Sequence, residues 1–209
     1  MPTNSEPRFH PPDPSELDAA QRRVYDAIVA GPRGEVVGPL GVWLRRPELA
    51  DRAQRLGEYA RYGTSLPPIL SELAILVVAR TWGSEFEWLV HKPIALAAGV
   101  PPDAVEAIRS GGTPLLGDPA QSAVYAFCAA LLGEHHVDDA LYADAVRALG
   151  EEGVVDLVGI LGYYSLISMT INAFRVPPPE GVEPELAAGR EVAGVQAVGA
   201  GGGRSPSRY

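Results

Sequence analysis

Apolar residues recur at helical spacing along most of this chain, and glycine or proline punctuates each run. Residues 16–30 carry Leu17, Val24 and Ile28 and stop at the turn Gly31-Pro32-Arg33-Gly34. Residues 47–62 open on Pro47, which suits the first turn of a helix, and close at Gly63. The segment 66–81 is dense in Leu, Ile and Val after Pro67 and Pro68, and 84–98 ends at Gly99. A short helix is predicted at 102–110, followed by 119–132, 138–149 and 152–174. Val36-Val37 and the stretch Gly38-Pro39-Leu40-Gly41-Val42-Trp43-Leu44 are the only strand-like words. The pattern predicts an all-α domain of about seven or eight helices over residues 15–176, without a repeat period.

The ends read differently. Residues 1–14 are rich in proline and are expected to form an extended arm. From 177 to 209 Gly, Ala and Pro dominate and no large apolar side chain recurs, so a flexible tail, or a segment lying on a neighbouring subunit, is expected.

Composition narrows the function classes. The 209 residues are 46% hydrophobic, enough for one well-packed domain. A net charge of −9 without a clustered basic face argues against a nucleic-acid partner. A single cysteine, Cys128, permits no intramolecular disulfide. The N-terminal residues lack the basic and apolar regions of a secretory signal. The longest apolar tract, 154–174, is interrupted by Asp156, Ser165, Ser168, Thr170 and Asn172, which favours a buried helix over a membrane span. A cytoplasmic protein with no membrane contact is expected.

The candidate chemistry lies in 72–91. Glu72 shares a helix face with Ile69, Ile75, Leu76 and Ala79. A carboxyl group there either lines a cavity, where burial favours the neutral acid of a proton donor or shuttle, or pairs with an arginine such as Arg61 or Arg80. Ser84 and Glu87 have the spacing of a capping box, in which Ser84 caps the helix and Glu87 reaches back to the Ser84 amide. His91 stands one turn beyond Glu87, where the two can hydrogen-bond and the carboxylate fixes the imidazole tautomer. Pro93 predicts a kink just past His91. Together Glu72, Glu87 and His91 are the candidate catalytic residues, and Ser84 and Trp88 the candidate substrate-binding ones.

Other chemistries find less support. Glu87 and His91 lack the Glu-x-x-His repeat of a dinuclear carboxylate site, and His135-His136 sits at a helix end, so no metal is expected. Cys128 lies among small and apolar residues with no base nearby and reads as a core thiol. No glycine-rich phosphate loop is present, and no cofactor is expected.

The segments ELAILVVAR and EFEWLVHKPIALAAGV resemble the carboxymuconolactone decarboxylase family, which includes the alkylhydroperoxidase D-like proteins. The redox branch carries Glu-x11-Cys-x2-Cys-x3-His. Glu72 and His91 match that motif, while Ser84 and Glu87 stand at the two cysteine positions. The resemblance implies an alkylhydroperoxidase D-like helical bundle assembled as a homo-oligomer, a trimer or hexamer, or a dimer. Without the thiol pair, peroxide reduction is expected to be absent. The decarboxylase branch implies a cofactor-independent lyase, or a related isomerase or hydrolase, acting on a small carbonyl or lactone compound. His91 would then be general acid/base and Glu72 its relay, with Glu87 tuning His91. The alternative is a non-catalytic member that binds a ligand or partner.

Overall fold

The computed structural model describes residues 6–179 and 181–186. Among them are eight α-helices and no β-strand. They are α1 (Ala19–Ala30), α2 (Pro39–Trp43), α3 (Pro47–Glu58), α4 (Pro68–Trp82), α5 (Glu85–Ala98), α6 (Pro102–Ser110), α7 (Pro119–Gly133) and α8 (Asp139–Phe174).

Helix α4 is the axis of the bundle. It packs against α5, α7 and α8, and every residue from Leu70 to Ala79 is buried. A helix that is apolar all round has no face to offer water, so it takes the centre. Leu73, Ala74, Leu76, Val78 and Ala79 are fully enclosed there, with Trp88, Val124, Cys128, Leu157 and Ile160 packed around them. Proline stands in the first turn of five helices, where its missing N–H has no intrahelical acceptor to lose.

One element departs from the sequence pattern. The stretch read as strand-like is α2, buried along all five residues against α3 and α8 and tied to α8 by a Trp43 Nε1 to Thr170 Oγ1 hydrogen bond of 3.1 Å. A short apolar run has the same periodicity in a buried helix as in a buried strand, and Pro39 in the first turn favours the helix. The two helices predicted at 138–149 and 152–174 both form within α8 and meet at a kink at Gly150, whose φ of 75° and ψ of 167° belong to glycine alone. Beyond α3 the chain continues as a π-helical turn, Tyr59–Gly63. Asp156 of α8 holds this turn by accepting from Tyr59 Oη at 2.5 Å and from the Ser65 amide and hydroxyl at 2.7 Å each.

Both ends of the described chain are docked. The Arg8 amide and guanidinium donate to the carbonyls of Phe174 and Ala173 at the end of α8, and Phe9 meets Phe174 edge to face. Of the tail expected from 177, residues 187–209 lie outside the described residues. Its beginning is not free, because Leu186 is buried and Glu185 is bonded to α5 and α6. Helix α8 is long and apolar enough to cross a membrane, but 61% of its most apolar window is buried within the bundle.

Candidate functional site

Glu72 and His91 meet across the α4–α5 contact. His91 Nδ1 lies 2.8 Å from Glu72 Oε2, and each residue is only 5% exposed. The partner of Glu72 is thus the imidazole rather than Arg61 or Arg80. An imidazole that donates from Nδ1 to a carboxylate keeps Nε2 as its proton acceptor. It can then take a proton at Nε2 while the carboxylate stabilises the imidazolium.

Glu87 does not do what its spacing suggests. It is 1% exposed and accepts from Ser168 Oγ of α8 at 3.0 Å, and it makes no hydrogen bond to His91. Against the weaker opposite pull of the Ser168 bond, burial pushes its carboxyl well above the usual range, which favours the neutral acid. The expected capping box is also absent. The Ser84 amide already donates to the Ala79 carbonyl at 2.8 Å, closing the left-handed end of α4 at Gly83, and no donor remains there for Glu87 to cap. Ser84 Oγ and Glu87 Oε1 are both buried without a hydrogen-bond partner among the described residues. Trp88 is fully buried, and its indole N–H donates to Glu185 Oε2 at 3.0 Å. Helix α5 runs through Pro93 to Ala98, within a residue of the predicted 84–98.

The facing groups come from α8. Tyr164 meets the His91 ring edge to face, with centroids 5.0 Å apart, while Ser168 bonds Glu87. One turn of α5, residues 87 and 91, therefore meets one turn of α8, residues 168 and 164, in the opposite direction. The Tyr164 hydroxyl is buried and unpartnered, and burial pushes it well above the usual phenol range despite the opposing charge of Arg61. Beside it Tyr163 accepts from Arg33 at 3.1 Å, and the two tyrosine rings stack edge to face. Ser168 was signalled in the sequence only as a polar interruption of an apolar helix, and Tyr164 was not signalled at all.

Two cavities of about 480 and 470 Å³ lie elsewhere. The first runs between the N-terminal arm, Phe86 and Val176–Pro178. The second lies along the π-helical turn beside Asp156. Neither is lined by Glu72 or His91. Among the described residues no group of three or more His, Cys, Asp or Glu side chains gathers as a metal site.

Residues 47–130 match the model of the carboxymuconolactone decarboxylase family. That stretch of the chain is similar to this family. Solved structures agree on the fold. A peroxidase-related protein from Silicibacter sp. TM1040 superposes with a TM-score of 0.67 at 15% identity, covering 86% of this chain and 96% of that one. A protein with an alkylhydroperoxidase AhpD core from Ralstonia eutropha JMP134 gives 0.67 at 12% identity, over 85% and 94%. The debrominase Bmp8 gives 0.65 at 17% identity, over 81% and 91%. No curated protein sequence matches the chain significantly.

The stretch matching this family contains Glu72, Ser84, Glu87, Trp88, His91 and Cys128. In this chain the thiols of the redox motif have no counterpart, because Ser84 and Glu87 stand at their positions. Cys128 is fully buried, and burial drives its thiol far above the thiolate range.

Proposed function

We propose that this protein is a cofactor-independent acid–base enzyme acting on a small carbonyl or lactone compound, a decarboxylase-like lyase or a related isomerase or hydrolase. The buried Glu72–His91 bond of 2.8 Å carries the reading. Glu72 fixes the tautomer, and His91 Nε2 takes a proton from substrate and returns it to carbon. The Tyr164 hydroxyl, kept protonated by burial and lacking a partner, is the donor available to an enolate-like oxygen beside His91. Glu87 contributes as a neutral acid paired with Ser168, not as a tuner of the imidazole. The same reading takes a small molecule as partner, excludes nucleic acid on charge and places the protein in the cytoplasm.

His91→Gln is the deciding variant. It is expected to abolish turnover of a substrate found by screening lactones and β-keto acids, while the melting temperature stays within a few degrees. Loss of stability with turnover retained would refute the proposal. Hydroperoxide turnover with a dithiol donor is expected to be absent, and its detection would contradict the reading of Ser84 and Glu87.

A second reading, a non-catalytic ligand-binding member, is favoured by the position of the two cavities away from Glu72 and His91. It requires that ligand binding survive His91→Gln unchanged and that no turnover be found.

A further inference from the structure

The outer face of α8 is apolar, and nothing in the described chain covers it. Val155 is 71% exposed, Val158 46% and Met169 44%, and Leu166 is half-buried on the same face. Solvent-facing valines and a methionine aligned on one helix are a patch, unlike apolar residues scattered singly.

The spacing of that patch is symmetric. Glu151, Val155, Val158, Gly162, Leu166, Met169 and Ala173 follow one another at intervals of 4, 3, 4, 4, 3 and 4 residues. This is the interval pattern of a helix seam, and it reads the same from either end about Gly162. Laid antiparallel on a copy of itself, the helix sets Val155 against Met169, Val158 against Leu166, and Gly162 against Gly162. Such self-complementarity is what a two-fold contact between identical chains requires.

Two further observations favour a second copy. A Cβ built on Gly162 or on its neighbour Gly159 meets nothing within 4 Å, so the fold of one chain has no need of glycine at either position. Glycine in a helix interior destabilises it relative to alanine, and a close helix crossing supplies the missing reason for both. The ends also match in charge. The same register brings the exposed Arg175 of one copy beside the exposed Glu151 and Glu152 of the other.

We infer that the α8 face from Glu151 to Arg175 is the contact surface for a second copy of this chain, packed antiparallel about a two-fold axis at Gly162. The seam from 151 to 173 is about 33 Å long at 1.5 Å per residue.

Sedimentation equilibrium on the full chain tests the mass, which should be an even multiple of 22.1 kDa. Gly162→Glu places a like charge on the axis and is expected to weaken association at least 100-fold while far-ultraviolet circular dichroism is unchanged. Cysteine cross-linking with a short bis-thiol linker provides the second readout, uncomplicated because the native Cys128 is buried. Gly162→Cys should cross-link to itself. Val155→Cys and Met169→Cys should cross-link when mixed, and neither should do so alone. A wild-type monomer at all concentrations overturns the proposal. So does an oligomer in which Gly162→Glu keeps its mass, or in which Gly162→Cys fails to cross-link.

Discussion

Glu87 shows how far a single residue's surroundings override its spacing. Its distance from Ser84 fits a helix cap and its distance from His91 fits an ion pair, yet the side chain turns to Ser168 and is buried. Its folded carboxyl titrates above the ordinary value of 4.5, the value expected of the unfolded chain. Below that ordinary value both states hold the proton, and the stabilising contribution is fully present. As pH rises toward the folded value only the native state keeps the proton, so the unfolded state is favoured and stability falls. Glu87→Gln retains the Ser168 bond without an ionisable group. The variant should gain on wild type by about 1.4 kcal/mol for each pH unit inside that window, read from urea unfolding between acid and neutral pH. Parallel pH profiles would show that Glu87 is not held neutral. The Glu72–His91 pair is the opposite case. An apolar face leaves a buried glutamate few partners, and the imidazole on the next helix is the one that reaches it.

At the scale of elements, most helices follow from periodicity and from their terminating residues. Helix α6 spans the predicted 102–110, and α3, α4, α5 and α7 agree to within a few residues. The exception has a local cause. Helix α2 is too short for periodicity to separate it from a strand, and its burial decides the matter. Gly150 kinks α8 as a single non-helical residue between the two helices predicted at 138–149 and 152–174. Alanine at position 150 cannot adopt that backbone conformation without strain, so Gly150→Ala should cost about 1–3 kcal/mol. Gly57 of α3 has a different constraint, since a Cβ there would collide with the Tyr163 hydroxyl and the Arg33 guanidinium. Gly57→Ala should cost about 1–3 kcal/mol by overpacking and should disturb the Arg33–Tyr163 bond behind Tyr164. Urea midpoints of the two variants check both figures, and a midpoint equal to wild type would refute either.

For the molecule as a whole, residues far apart in the chain complete the region around the site. Glu185 accepts from Trp88 and Lys92, Arg109 donates to the Glu185 carbonyl, and the Glu85 carboxylate accepts the amides of Glu185 and Leu186. This fastens the C-terminal segment across α5 and α6. The Lys92 and Glu185 side chains are each about 30% exposed, so their ion pair alone contributes little. Glu185→Ala also leaves the buried Trp88 indole N–H without an acceptor and should cost about 1–2 kcal/mol in urea unfolding. Cys128, at the centre of the bundle, should react with a thiol reagent only as fast as the whole domain unfolds. Faster labelling would mean that the core opens locally.

The sequence by itself determined the all-α class, most helix boundaries, the family spacing of Glu72, Ser84, Glu87 and His91, and the absence of a thiol pair. These follow from local periodicity, turn chemistry and residue identity, which act over a few positions. Only the tertiary structure decided that Glu72 pairs with His91, that Glu87 is buried against Ser168, and that Tyr164 stands beside the imidazole. Those contacts join residues 19 and 81 positions apart in the bonded pairs, and which of them form depends on how α4, α5 and α8 pack. Spacing places side chains on a face, and packing chooses what the face meets.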